Sequence, residues 1–583
     1  MCLCESAGLR GILRGMLTNL TLTNFKLFEK AEIELADRVV FVGPNNSGKT
    51  TALQALALWN VGVRKWLERR GDGNVPKERA GVTINRRDLI ASPIPAANLL
   101  WRDLHVRQSF RDEGKQKTRN VLITLGVDGI SAGAAWTATL EFDYANEESF
   151  YCRSPLSPTG ERQEVPPAAG DIRLAYLPPM SGLTPVERRL DDGALQVLIG
   201  EGRTAEVLRN LCWKSLQSNE PQWRAIVERM QRLFGVRLLD PEYIAARGEI
   251  VMSFRTRGGT ELDLSASGRG QQQTLLLLAH MAANPGSVML LDEPDAHLEV
   301  LRQRQMYNEL TSAATETGSQ IIAASHSEVV LEEAADRDMV VAFVGEPHRI
   351  DDRGSQVAKS LKSIGFESYL QAEITGWVLY MEGSTDLAIL AAFASLLESP
   401  AAACLEKPFV HYVGNIPAKA REHFHGLRVA KSDLVGIALY DKLDSDPPSD
   451  PHLAQLTWRK RELENYLCQR DTLLAWAAAR GRELYGPLFA ATWKTEMEAA
   501  ISEITAALTT LKEGDPWGSE IKASDQFLTP LFSRFFERLN LPNLMRKTDY
   551  HTLARFVARD QIDAEVTEKL DAIVNVAGRA RPR

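Results

Sequence analysis

The octet Gly43-Pro44-Asn45-Asn46-Ser47-Gly48-Lys49-Thr50 follows the apolar run Val39-Val40-Phe41-Val42 and leads into Thr51-Ala52-Leu53-Gln54-Ala55-Leu56, a helical pattern. Strand, glycine-bounded turn and helix in that order form a P-loop in the setting it requires. Glycines let the backbone curl until its N–H groups face a phosphate, and the helix behind them adds partial positive charge. Gly43, Asn46, Ser47, Gly48, Lys49, Thr50 and Thr51 are the expected nucleotide-binding positions. Lys49 would reach the β- and γ-phosphates, and the Thr50 hydroxyl would hold Mg²⁺.

A chain of 583 residues, 44% hydrophobic and 25% charged, has room for three or four domains of ordinary globular composition. No apolar run approaches the roughly 20 residues of a membrane span, so no membrane partner is expected. The six cysteines, at 2, 4, 152, 212, 404 and 468, are too few and too scattered for a disulfide framework or zinc site, which fits a reducing cytoplasm. A net charge of −8 means that any DNA contact must come from local basic patches.

Residues 1–15 read as a disordered leader or an upstream start, because they lack a signal-peptide core and Met16 directly precedes the first strand-like segment. Alternation from Leu17 to Leu35 predicts a strand pair. Residues 71–170, with the islands Val121–Leu125 and Trp136–Phe142, read as a β-rich insertion with mobile loops. From about 185 to 235 the pattern turns helical, with Arg203, Arg209, Lys214, Arg224, Arg229 and Arg232 among leucines; an arm or subunit-packing face and a solvated charged helix both suit it. The first domain is expected to span 16–350, a polar linker 351–370, a second α/β domain 371–470 and a helical region 471–583, with Trp476, Trp493, Trp517, Phe535 and Phe536 as its core.

Ser287-Val288-Met289-Leu290-Leu291-Asp292-Glu293-Pro294 is an apolar strand ending in two carboxylates, the form of a Walker B segment. Asp292 would hold Mg²⁺, and Glu293 would polarise the attacking water. Gln320-Ile321-Ile322-Ala323-Ala324-Ser325-His326 is a further buried strand, and His326 is placed to sense a γ-phosphate. Before them stands Leu264-Ser265-Ala266-Ser267-Gly268-Arg269-Gly270-Gln271, at the start of a helix. With Asp295-Ala296-His297-Leu298 after Walker B, this order resembles ATP-binding-cassette ATPases of the SMC and RecN type. The resemblance implies ATP hydrolysis at a dimer interface, completed by Ser267 and Gly268 of a second subunit, and Gln108 as a candidate for the family's Q-loop.

In the second half, Met381-Glu382-Gly383-Ser384-Thr385-Asp386 ends a strand and enters a helix; Leu434–Tyr440 is a strand ending at Asp441, and Glu462-Leu463-Glu464-Asn465-Tyr466 follows. Acids at the ends of neighbouring parallel strands converge at one sheet edge, and such a cluster suits Mg²⁺ or Mn²⁺ and phosphodiester chemistry. This half resembles a Toprim domain, and the whole from Met16 resembles the OLD (overcoming lysogenization defect) family of ATP-dependent nucleases. The resemblance implies metal binding and catalysis by Glu382, Asp386, Asp441 and Glu464, with Lys547 steadying the scissile phosphate. The family's second aspartate of an Asp-x-Asp pair is replaced by Leu443; Asp444 and Asp446 are the nearby acids. His423 and His425, two apart and without cysteine partners, read as surface residues.

The expected fold is therefore an ABC-type P-loop ATPase with an inserted helical arm, then a Toprim α/β domain and a helical C-terminal region. The resemblance implies an ATP-hydrolysing, metal-dependent DNA endonuclease of bacterial anti-phage defence, acting as a homodimer or larger assembly. The alternative is a sensor ATPase whose degenerate Toprim scaffold controls a separate effector encoded nearby. The absence of a long heptad repeat between P-loop and signature argues against an SMC-like tether.

Overall fold

The computed structural model describes residues 15–70, 81–90, 93–112, 115–158, 160–335, 337–350 and 364–583. The chain divides into two compact units, 1–358 and 359–583. The leader, apart from Gly15, and positions 351–363 of the expected linker lie outside the described residues. The rest of that linker is not polar coil, because the helix Phe366–Thr375 leads directly into the next strand.

The first unit is built on a sheet in which Leu174–Leu177, Val288–Asp292, Gln320–Ser325, Arg38–Val42 and Met339–Ala342 run parallel in that order, with His348–Arg349 antiparallel at the edge. Its strands are apolar throughout because both faces are covered. Val288, Leu290 and Ile322 pack on one side; Met289, Leu291 and Ile321 pack on the other. On the first side lies the helix Lys49–Arg70, and Leu53, Leu56, Trp59 and Val63 share that core with a six-stranded antiparallel sheet. The outer sheet runs Phe28–Glu34, Met16–Phe25, Ile123–Ser131, Ala134–Asn146, Ser149–Arg153 and Val82–Asn85. Much of the expected 71–170 insertion is thus the continuation of the first strand pair. Alternating positions such as Ile123, Leu125 and Val127 had to meet the apolar face of the helix, and they extend its sheet.

The expected helical arm is likewise part of the body. Helices Leu208–Ser218 and Glu220–Phe234 share a core with Arg269–Ala283 and Val300–Thr317 on the second face of the parallel sheet. Two of the arginines that suggested a solvated face are buried with partners: Arg209 bonds the Thr184 carbonyl and Asp263, and Arg229 pairs with Glu309 and Glu316.

The second unit has a four-stranded parallel sheet in the order Val410–Tyr412, Trp377–Met381, Val435–Tyr440, Leu453–Thr457. Leu379, Met381, Ile437 and Leu439 face a core completed by Trp476, Trp493, Phe532, Phe535 and Phe536, so the C-terminal helices are the sheet's own covering layer. Trp517 is only partly buried against it.

A buried polar side chain, Gln320, ties the parallel sheet to the outer antiparallel sheet. The buried Gln320 amide accepts from the Leu17 N–H at 2.9 Å and donates to the carbonyls of Leu17 and Ala36 at 2.8 and 2.7 Å. Gln320→Leu would strand three backbone groups without partners, and urea denaturation should report a loss of roughly 2–4 kcal/mol; an unchanged midpoint would contradict this.

Candidate functional sites

Parallel register brings the ends of the central strands together. Asp292 is level with Ala324, and Ser325 is level with Val42, immediately before the P-loop. The turn itself requires glycine. Gly48 has φ of +103°, and a Cβ there would lie 2.3 Å from the Phe28 ring. Lys49 Nζ donates to the Gly43 and Pro44 carbonyls at 2.8 and 2.9 Å, and burial pushes its pKa down to about 8 against the opposing pull of Asp292 and Glu293. Among the described residues the buried Ser47 hydroxyl has no hydrogen-bond partner, which suits a group that serves a phosphate oxygen. Asn46 and Gly48 stand in the same turn, and Thr51 is buried in the first turn of the helix Lys49–Arg70.

Thr50 Oγ1 donates to Asp292 Oδ1 at 3.0 Å, and the Tyr176 hydroxyl donates to Asp292 Oδ2 at 3.3 Å. Burial raises the Asp292 pKa. The donor set fits Mg²⁺: a hydroxyl and a carboxylate oxygen in contact at the mouth of a phosphate-binding turn, which is how Thr50 and Asp292 would hold it. Tyr176 was not anticipated, because its four-residue strand, Leu174–Leu177, is too short to register as a pattern.

Glu293, next to Asp292, has φ of +49°, a left-handed conformation that costs a non-glycine residue about 1–3 kcal/mol. Its Oε1 lies 3.4 Å from His326 Nε2, and burial, then Lys49, lowers the His326 pKa. Asp295 is buried and accepts from the Ser325 hydroxyl at 2.7 Å, locking the loop that follows Walker B. Ser267 and Gly268 stand elsewhere. Ser267 Oγ donates to the Leu264 carbonyl at 2.6 Å, Gly268 is the exposed N-cap of Arg269–Ala283, and no hydrogen bond among the described residues joins either to the P-loop. Gln108 is exposed in the hairpin strand Arg107–Asp112, where it accepts from Arg119.

In the second unit, Glu382 follows the strand Trp377–Met381, and Asp386 lies in the first turn of Ser384–Leu396, where its Oδ2 accepts from the Gly383 N–H at 2.9 Å. Asp441 follows Val435–Tyr440, and Glu464 is buried in the turn Leu463–Tyr466. These acids act on one another. Burial pushes Asp441 well up, reinforced by a hydrogen bond with Glu382 and by the charges of Glu382, Asp386 and Glu464. Burial likewise raises Asp386 to about 6 and Glu464 to about 8, while Lys547 pulls both down. Lys547 Nζ itself lies 3.3 Å from Asp525 Oδ1. Asp444 and Asp446 are exposed. Glu462, missed although only two residues before Glu464, is a buried acid whose charge acts on Asp386 and Glu464.

Among the described residues no group of three or more His, Cys, Asp or Glu side chains stands arranged to hold a metal ion. The all-oxygen chemistry and mutual repulsion of the acids nonetheless fit a hard divalent cation, which would relieve that repulsion once rotamers close around it. His423 corrects its surface assignment. It is 8% exposed, stacked on His411 at 3.7 Å and bonded through Nδ1 to the Tyr380 hydroxyl, and burial takes its pKa to about 3. His425 is exposed and paired with Asp450 at 2.8 Å.

Residues 16–73 match the family described as "AAA ATPase domain", and residues 182–332 match "AAA domain, putative AbiEii toxin, Type IV TA system". The first unit therefore carries an ATPase domain of the AAA type. No curated protein matches the sequence. Solved structures that resemble the chain include the SMC head domain from Thermotoga maritima, at 15% identity and a TM-score of 0.32, over 57% of this chain and 98% of that one. The SMC head bound to the C-terminal winged-helix domain of ScpA stands at 16% and 0.35, over 57% and 97%. An SMC head with an extended coiled coil, bound to the C-terminal domain of ScpA derived from Pyrococcus furiosus, stands at 14% and 0.33, over 57% and 96%. Likenesses this loose add nothing to the site. No helix among the described residues is long and apolar enough to cross a membrane.

Two substitutions probe the ATPase geometry. Glu293→Gln should lower the ATP hydrolysis rate by at least about 100-fold with nucleotide binding retained; hydrolysis at the wild-type rate would remove Glu293 from the chemistry. Tyr176→Phe should raise the Mg²⁺ concentration needed for half-maximal hydrolysis about 10-fold, as loss of a residue that orients a metal ligand does; an unchanged Mg²⁺ titration would deny Tyr176 that role.

Proposed function

We propose that the chain is an ATP-hydrolysing, divalent-metal-dependent DNA endonuclease of the OLD type, with the first unit as the ATPase and the second as a Toprim-like nuclease. The observation that carries the nuclease half is geometric: Glu382 and Asp441 follow neighbouring parallel strands, Asp386 stands in the helix turn just after Glu382, and with Glu464 and Lys547 these groups are near enough for their charges to act on one another. Four buried or half-buried acids, Asp386, Asp441, Glu462 and Glu464, with the exposed Glu382 at their edge, are costly to gather unless a cation or a proton is meant to be shared there.

In the ATPase, Lys49 and Ser47 bind phosphate oxygens, Thr50 and Asp292 hold Mg²⁺, Glu293 orients the attacking water, and His326 steadies Glu293. The signature turn, with Ser267 half-buried and Gly268 exposed, supports completion of this site by a second copy, hence a homodimer or larger assembly. In the nuclease, Glu382, Asp386, Asp441 and Glu464 would hold Mg²⁺ or Mn²⁺, which when bound supplies an activated water and balances charge on the phosphate. Gly383 fixes the Asp386 carboxylate through its N–H, and Lys547 faces the acids as the cation for the scissile phosphate. The toxin and toxin–antitoxin wording of the matched family supports a role in defence against phage.

A second reading has its own support. Leu443 replaces an acid, Asp444 and Asp446 are exposed, and no ready metal cage is present among the described residues, all of which suit a sensor ATPase with a non-cleaving scaffold and a separate effector. Plasmid cleavage by the intact chain, with Mg²⁺ or Mn²⁺ and with or without ATP, separates the two. Nuclease function predicts cleavage that Glu382→Ala abolishes while ATP hydrolysis continues, and Lys49→Ala gives the sign of ATP control. ATP hydrolysis without cleavage under either metal would favour the scaffold.

A further inference from the structure

A DNA strand that approaches the acid cluster meets strong repulsion, because the acids and the phosphates carry the same sign. One lysine is a small counterweight. The loop before the turn Ala523–Leu528 supplies another. Asp525 is held by two ammonium groups at once, Lys522 Nζ at 2.6 Å from Oδ2 and Lys547 Nζ at 3.3 Å from Oδ1. A phosphodiester offers the same pattern: two non-bridging oxygens sharing one negative charge.

We propose that Lys522 and Lys547 form a two-lysine clamp on the phosphodiester at the acid cluster, and that Asp525 holds the clamp's place until DNA displaces it. This rests on the nuclease reading above and names a further substrate-binding residue for the same site.

Three features support the clamp. First, both lysines meet on Asp525 and lie near the acids: Ser524, next to Lys522, is bonded to Glu462, the charges of Glu462 and Glu382 act on Lys522, and the charge of Lys547 acts on Asp386 and Glu464. Second, the loop is fixed to the acid-bearing turn and does not hang free. The Ser524 N–H donates to Glu462 Oε1, and Asn465 Nδ2 donates to the carbonyls of Gly518 and Ile521 at 3.1 and 3.0 Å. Glu462 and Asn465 bracket Glu464, so the same short turn sets both an acid of the cluster and the lysine loop. Third, Ala523–Leu528 is a π-helical turn, a geometry that costs backbone hydrogen-bond quality and recurs at functional sites. All three charged groups are about half exposed and open to a ligand, so the placeholder pair is weak enough to give way.

The test is binding of a fluorescein-labelled DNA duplex by the intact chain, followed by anisotropy in EDTA from about 50 to 200 mM salt. Lys522→Gln should weaken binding and flatten the plot of log K against log salt by about 0.9, one phosphate contact, while Lys522→Arg restores both. Asp525→Asn, which releases the lysines, should tighten binding at low salt. An unchanged slope in Lys522→Gln, or Asp525→Asn binding no tighter than wild type, overturns the clamp. Cleavage by the same preparations keeps the two ideas apart. Wild-type cleavage with a Lys522→Gln slope equal to wild type sinks the clamp and leaves the nuclease. Absence of cleavage with the expected slopes sinks the nuclease and leaves the clamp as a DNA-binding site.

Discussion

Both parallel sheets are covered on both faces, and a strand so placed can carry a charge only where it ends. In the first unit Val288–Asp292 and Gln320–Ser325 are fully buried, Asp292 included, and Glu293 and His326 emerge beside the P-loop. In the second, Trp377–Met381 and Val435–Tyr440 are apolar until Glu382 and Asp441 emerge. The chemistry of each unit follows from which strands are neighbours, because neighbouring parallel strands in register must present their ends together.

The same constraint explains why contiguous motifs were legible and supporting residues were not. A P-loop writes glycines, lysine and threonine into eight consecutive positions, and Walker B ends a strand with its two acids, so each can be read without a fold. Tyr176 reaches Asp292 only because Leu174–Leu177 pairs with Val288–Asp292, a pairing with no local signature. Lys522 is far from Lys547 in sequence and meets it through one carboxylate. Glu462 was within reach, since its spacing from Glu464 was visible; what hid it was the helix-capping pattern in which it also serves.

Errors of organisation have physical causes too. Residues 71–170 looked like an insertion because antiparallel strands alternate weakly and lie far from the partners that complete their sheet. The 185–235 helices looked like an arm because charge along a helix ordinarily marks solvent, whereas Arg209 and Arg229 are buried with carboxylates. His423 looked exposed for want of metal-ligand spacing, yet a neutral histidine packs well against another aromatic ring, as it does on His411.

The central claim is that the acids of the second unit form a metal site despite Leu443. Mn²⁺ binding by the intact chain, followed by electron paramagnetic resonance without nucleotide, tests it without relying on turnover. The account predicts bound Mn²⁺ in wild type that Asp386→Asn combined with Glu464→Gln abolishes. Free Mn²⁺ throughout, or binding untouched by the double substitution, would contradict it.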